Sequence, residues 1–175
     1  MNEYIEVEYR KEELEEYVIE LLTMGICSLF FRGSFICNRD VLTAAYLSDG
    51  YRRLDTLKQI SAVDALSVAA SLFMGVHQCE KHYIFADAFM VESACVYVKK
   101  DFSDVRLLYM PAKIVKSMTE KTADLLLYLA DKCSSEGASY LQRASEMIRE
   151  DWFGYTSVLH QLERLRQEAY MCGIE

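Results

Sequence analysis

The segment VDALSVAASLFMGVHQCEKHY, residues 63–83, constrains the fold of this chain more than any other stretch. Its apolar residues recur so densely that a helix built from it is hydrophobic nearly all round. Such a helix has no broad face to give to water, so the other elements must surround it. Ser61 and Asp64 stand just ahead in the S-x-x-D spacing of a helix N-cap. A helix over about residues 61–83, central and the most deeply buried, is therefore predicted.

The flanking segments supply the surroundings. YIEVEY alternates Ile5, Val7 and Tyr9 against Glu6 and Glu8, which predicts an edge strand. Leu14, Tyr17, Val18, Leu21 and Leu22 then share one face of a helix over about 11–24, closed by Gly25. ICSLFFRGSFICNR reads as two short strands about a turn at Arg32-Gly33, and Asp40 as the cap of a short helix, VLTAAYL. Residues 48–59 read as a polar connection with a helical turn. Two more strands are expected at about 94–99 and 105–109, joined by KDFSD. After Pro111 the pattern is helical throughout. Ser117 and Glu120 form a capping box, Ser134 or Ser135 caps a second helix, and Gly154 precedes a last one with Val158, Leu159, Leu162 and Leu165 on one face.

With 175 residues, 52% of them hydrophobic, the chain suits one compact domain. Its net charge of -8 disfavours nucleic acid, whose phosphates demand clustered Lys and Arg. Residues 1–20 hold eight Glu against Arg10 and Lys11, a balance of -6. That excess reads as solvated strand and helix faces, with an acidic docking surface as the alternative. Six cysteines without a CxxC pair, and no apolar leader in MNEYIEVEYRKEELEE, predict free thiols in a reducing cytoplasm. The longest weakly polar run, Ala65–Val76, is too short for a membrane span, so this segment is expected not to insert. A longer parent protein could still be anchored.

Four stretches carry a resemblance: EEYVIELLTMGICSLFFR, CEKHYIFADAFMVESACVYV, VRLLYMP, and the C-terminal run from ADLLLYLADK to HQLERL. They resemble an uncharacterised domain of Gram-positive bacterial proteins that precedes a forkhead-associated (FHA) domain. That family in turn is similar to the kinase-like cytoplasmic pseudokinase domain of the type VII secretion protein EssB. The resemblance implies an α+β fold in one domain, 1–175. Residues 1–60 would form a reduced N-lobe-like part, and 61–175 a mainly helical part with the strand pair at about 94–109.

A kinase needs a Gly-rich loop, a Lys paired with a helix Glu, a catalytic Asp and magnesium ligands. This chain has no GxGxxG, and its early strands offer Arg32 and Arg39 but no matching Lys. Asp87 in IFADAF is the one acid near the expected catalytic position, and Glu92 keeps the five-residue step to a metal ligand. Asp101-Phe102-Ser103 mimics D-F-G but falls between the two strands. After the second strand, where the metal-binding Asp belongs, the chain reads Tyr109-Met110-Pro111. His77, Cys79 and His82 have metal-ligand chemistry, but on a helix His77 and Cys79 point about 200° apart and cannot readily share an ion. His160 stands alone.

The expectation is thus a non-catalytic, cytoplasmic scaffold or regulatory module of a signalling or secretion-associated system, binding a protein partner, with no cofactor and no metal. The alternative is a nucleotide-binding or residual phosphoryl-transfer enzyme using Asp87 and Glu92. Among the aromatics, Trp152, Phe153 and Tyr155, in EDWFGYTS between two helices, are the candidates for partner contact; packing of Trp152 into the core is the other possibility.

Overall fold

The structure is a computed structural model that describes residues 3–150 and 154–174. Among these residues the fold is α+β: five helices and two three-stranded antiparallel sheets. The first sheet is ordered β1-β3-β2, from β1 (Tyr4–Arg10), β2 (Gly33–Asn38) and β3 (Val41–Leu47). The second is ordered β4-β5-β6, from β4 (Tyr51–Arg53), β5 (Val96–Lys99) and β6 (Val105–Leu107). Five helices follow the chain: α1 (Glu16–Met24), α2 (Ala62–Glu80), α3 (Met118–Ala130), α4 (Ser135–Arg149) and α5 (Tyr155–Cys172).

Helix α2 is the hub. Ten of its residues are buried, among them Ala65, Leu66, Ala69, Leu72, Phe73 and Val76, and α3 and α5 pack along it. Ser61 starts it by accepting the Asp64 amide, a hydrogen bond of 3.0 Å. Gly75 lets the chain after α1 lie flat on the helix, because a Cβ there would stand 2.8 Å from Leu29 Cδ1. With its mean hydropathy of 1.2, α2 is long and apolar enough to cross a membrane by length and composition, a correction to the shorter run read from the sequence. Just over half of it is buried in this fold, and its apolar surface makes the core.

Four other local expectations change. VLTAAYL is no helix but the central strand β3, held between β1 and β2 on both edges. Leu42, Ala44 and Tyr46 alternate inward, and two ladders of backbone hydrogen bonds outweigh the helix preference of Ala and Leu. The Arg39-Asp40 turn, with Arg39 at φ 55°, joins β2 to β3 as a hairpin. Residues 26–39 give one strand, not two; residues 29–31 instead lie along β6, with the Leu107 amide donating to Leu29 O at 2.7 Å. The single helix expected over 11–24 divides into a 3-10 turn, Lys11–Glu13, and α1, because Leu14 is extended and buried between them. Inside the polar connection after β3, the unforeseen strand β4 pairs with β5.

Candidate functional site

Asp87 and Glu92 lie on the loop between α2 and β5, which meets the chain after β6. Residues 88–90 pair with 110–112: the Met90 amide donates to Met110 O at 2.7 Å, and the Ala112 amide to Ala88 O at 2.9 Å. Phe89, in the middle of this strap, is fully buried and meets Phe30 edge-on at 5.0 Å between ring centres. Tyr109 joins both rings, at 5.2 Å from Phe30 and 6.0 Å from Phe89.

This aromatic cluster continues into the first sheet. The Tyr9 hydroxyl donates to the Tyr109 carbonyl at 2.7 Å and accepts from the Tyr46 hydroxyl at 2.8 Å. The space between the first sheet and the 88–112 strap is therefore filled by five buried rings: Tyr9, Phe30, Tyr46, Phe89 and Tyr109. Burial pushes the Tyr46 and Tyr109 phenols up to about 12 and Tyr9 higher still, because an ionised phenolate would be stranded in an apolar surround.

Lys121, on the inward face of α3, holds the strap from below. It is 5% exposed, and its ammonium donates to the carbonyls of Ala86 and of Phe89, the latter at 2.6 Å. It also sits 5.5 Å from the centre of the Phe89 ring. Burial lowers its pKa, and the negative charge of Asp87 works in the opposite direction. Beside it opens a cavity of about 350 Å³, lined in part by Met90, Glu92, Ile114, Lys116 and Asp124. Lys116 closes on Asp124 at 2.7 Å, and Arg149 pairs with the same carboxylate. That cavity is mixed in charge and partly self-neutralised.

The sequence candidates fare differently. Asp87 and Glu92 are both exposed; Glu92 lines the cavity beside Lys121, whereas Asp87 is not among its lining residues. Asp101 lies in the β5–β6 turn and accepts the Ser103 amide at 3.1 Å and hydroxyl at 2.7 Å, which holds its carboxyl below the usual range. His77 stacks on Tyr155 at 4.0 Å and approaches Glu80 at 3.5 Å, Cys79 is buried beneath, and His82 is exposed. Among the described residues no group of three His, Cys, Asp or Glu could hold a metal ion. His160 is exposed on α5. Tyr155 is half-buried, its ring laid on Phe73 at 4.9 Å as well as on His77. Trp152 and Phe153 lie outside the described residues.

Lys121 and the three tyrosines of the ring cluster were not singled out by the sequence as site residues. A signal existed for Lys121, since it falls at helical spacing with Met118, Leu125 and Leu129, on the face of α3 that turns inward. The alternation of YIEVEY marked the side of Tyr9, but nothing signalled that Tyr9, Tyr46 and Tyr109 meet, because they come from three distant segments.

No family model matches this chain, and no curated protein does. Among solved structures the fold is similar to the Staphylococcus aureus EssB cytoplasmic fragment, with a TM-score of 0.50 at 14% identity. The likeness covers 94% of this chain and 99% of that fragment. At such low identity it is a likeness of fold.

Proposed function

We propose that this chain is a non-catalytic, kinase-like module that binds another protein in a bacterial secretion or signalling system. The observation that carries the reading is the ring cluster of Tyr9, Phe30, Tyr46, Phe89 and Tyr109. In a kinase-like fold the nucleotide lies between the small sheet and the helical part, and here side chains fill the space between sheet and strap. The likeness in fold to a cytoplasmic fragment of EssB supports a cytoplasmic, secretion-associated setting, with the FHA-linked resemblance as the signalling variant of it. Residues 1–60 serve as the small lobe and 61–175 as the large one. Trp152 and Phe153 are one candidate contact for the partner.

Heating the protein with ATP and Mg²⁺ or Mn²⁺ tests this. A ligand at a hundred times its Kd adds about 2.7 kcal/mol to stability, which for a chain of this size raises Tm by about 5 °C or more. No shift is expected. A shift of that size, lost in Asp87→Ala, would favour a nucleotide-binding enzyme instead.

A further inference from the structure

A second group of aromatics faces outward beside the acidic helix. Tyr17 is 46% exposed, Tyr83 74% and Phe85 50%. The Tyr17 hydroxyl donates to the Tyr83 carbonyl at 3.3 Å and ties α1 to the loop after α2, on which Phe85 follows two residues later. Tyr83 and Phe85 flank the buried Ile84, so both rings stay outside while Ile84 anchors the loop. Tyr83 has φ 61°, a backbone region uncommon for an aromatic residue. Such residues persist where their surroundings hold them, and they cluster at sites that clamp a ligand. Here the amides of Tyr83 and Ile84 donate to the carbonyls of Glu80 and Cys79 and fix the turn.

Carboxylates rim this patch. Helix α1 buries Val18 and Leu22, and leaves Glu16, Tyr17 and Glu20 on its outer side. Glu12 and Glu13 are matched by Arg10, at 3.5 and 3.1 Å. Among the described residues Glu15, Glu16 and Glu20 make no ion pair. Lys81 and His82, next to Tyr83 in the chain, are exposed, and so is Arg32, which donates to the Thr23 carbonyl of α1 at 2.8 Å. Three exposed rings beside three unmatched carboxylates are complementary to large apolar side chains interleaved with cations. A second copy of this chain would bring carboxylates against carboxylates, and an anionic lipid surface or nucleic acid would be repelled.

We propose that the face formed by α1 and residues 81–87 docks a basic, amphipathic polypeptide segment of a partner protein, with Tyr83 and Phe85 as apolar anchors and Glu15, Glu16 and Glu20 as counter-charges. The carboxylates speed encounter and set orientation, and the rings hold the complex. This rests on reading the chain as a protein-interaction module. The nucleotide experiment above uses no peptide, so the two readings fail separately.

The test uses an 18-residue amphipathic peptide of Leu and Lys as the probe, at about 0.15 M salt so that distant charge is screened, with a Leu and Glu peptide of the same spacing as control. Amide chemical shifts should move within residues 12–24 and 80–88. Tyr83→Gly with Phe85→Ser should weaken binding at least tenfold while leaving the fold intact, since glycine suits φ 61° better than tyrosine. Glu16→Lys with Glu20→Lys should weaken it several-fold, and Met171→Ser, exposed at the other end of α5, should change nothing. Equal binding of the Leu and Glu peptide, shifts centred elsewhere, or no binding at all would overturn the proposal. So would dimerisation through this face, seen as self-association that Tyr83→Gly abolishes.

Discussion

Two aromatic clusters stand within a short distance of each other and differ in everything except residue type. Tyr9, Tyr46, Tyr109, Phe30 and Phe89 are buried, and every phenol-to-protein bond between Tyr9 and its neighbours is closed. Tyr17, Tyr83 and Phe85 are open to water, with one hydrogen bond of 3.3 Å between them. The first cluster joins the sheet to the strap and costs solvation of its hydroxyls unless each finds a partner. The second contributes little to folding and keeps its rings available. The same residue type therefore joins the core or stays open to water according to which surfaces close over it.

The largest effect should separate the two phenylalanines of the loop between α2 and β5. Phe89→Ala removes a fully buried ring packed on Phe30, Tyr109 and Lys121, and should cost about 3–5 kcal/mol in urea unfolding. Phe85→Ala, at the surface, should stay within about 0.5 kcal/mol. Equal costs would erase the distinction between the clusters.

Alkaline pH sharpens it next. A phenol in the unfolded chain ionises near pH 10, whereas burial holds Tyr46 and Tyr109 up to about 12. The folded state then binds more protons than the unfolded state, so stability is full below pH 10 and falls between about pH 10 and 12. Each of these two phenols contributes roughly 2–3 kcal/mol to that loss. Unfolding midpoints measured across this range, in the native protein and in Tyr46→Phe, should converge as the pH rises. A flat profile would mean that the rings are hydrated.

A smaller loss is expected from Tyr9→Phe. It keeps the ring but opens the bonds to Tyr46 and to the Tyr109 carbonyl, at about 1–3 kcal/mol. Tyr17→Phe should be nearly silent in stability and visible, if anywhere, in partner binding. Reversal of that order would move the anchoring role to the surface cluster.

The mildest probe is chemical. Cys37 and Cys172 are exposed, while Cys27, Cys79 and Cys95 are buried. Burial pushes the Cys95 thiol up to about 11, and the hydrogen bond that Cys79 donates to Cys27, together with burial, raises Cys79 well above its ordinary value. Under native conditions a maleimide should label Cys37 and Cys172 first, and all six thiols should react without reductant once the chain is denatured. Rapid native labelling of Cys79 would show that the core around α2 opens.

Much of the helical framework was legible in the sequence because its signals are local. Ser61 with Asp64, Ser117 with Glu120 and Ser134 with Gly137 each close a cap within one helical turn, and Gly25 ends α1 at φ 69°. The apolar density of residues 63–83 likewise sufficed to make α2 the core helix. The sequence also marked the strand pair around its KDFSD turn and left no kinase-type glycine loop or lysine to build upon.

Tertiary structure alone decided whatever depends on a distant partner. VLTAAYL became a strand because β1 and β2 offer it two ladders, and no residue within the segment carries that information. Lys121 is held by carbonyls at positions 86 and 89, and Tyr9 by a carbonyl at 109. Composition could count the tyrosines and phenylalanines, but burial is a property of what packs over a side chain. The closure of sheet, strap and α3 around five rings, and its failure to cover Tyr17, Tyr83 and Phe85, sets which aromatics hold the fold and which stay at the surface.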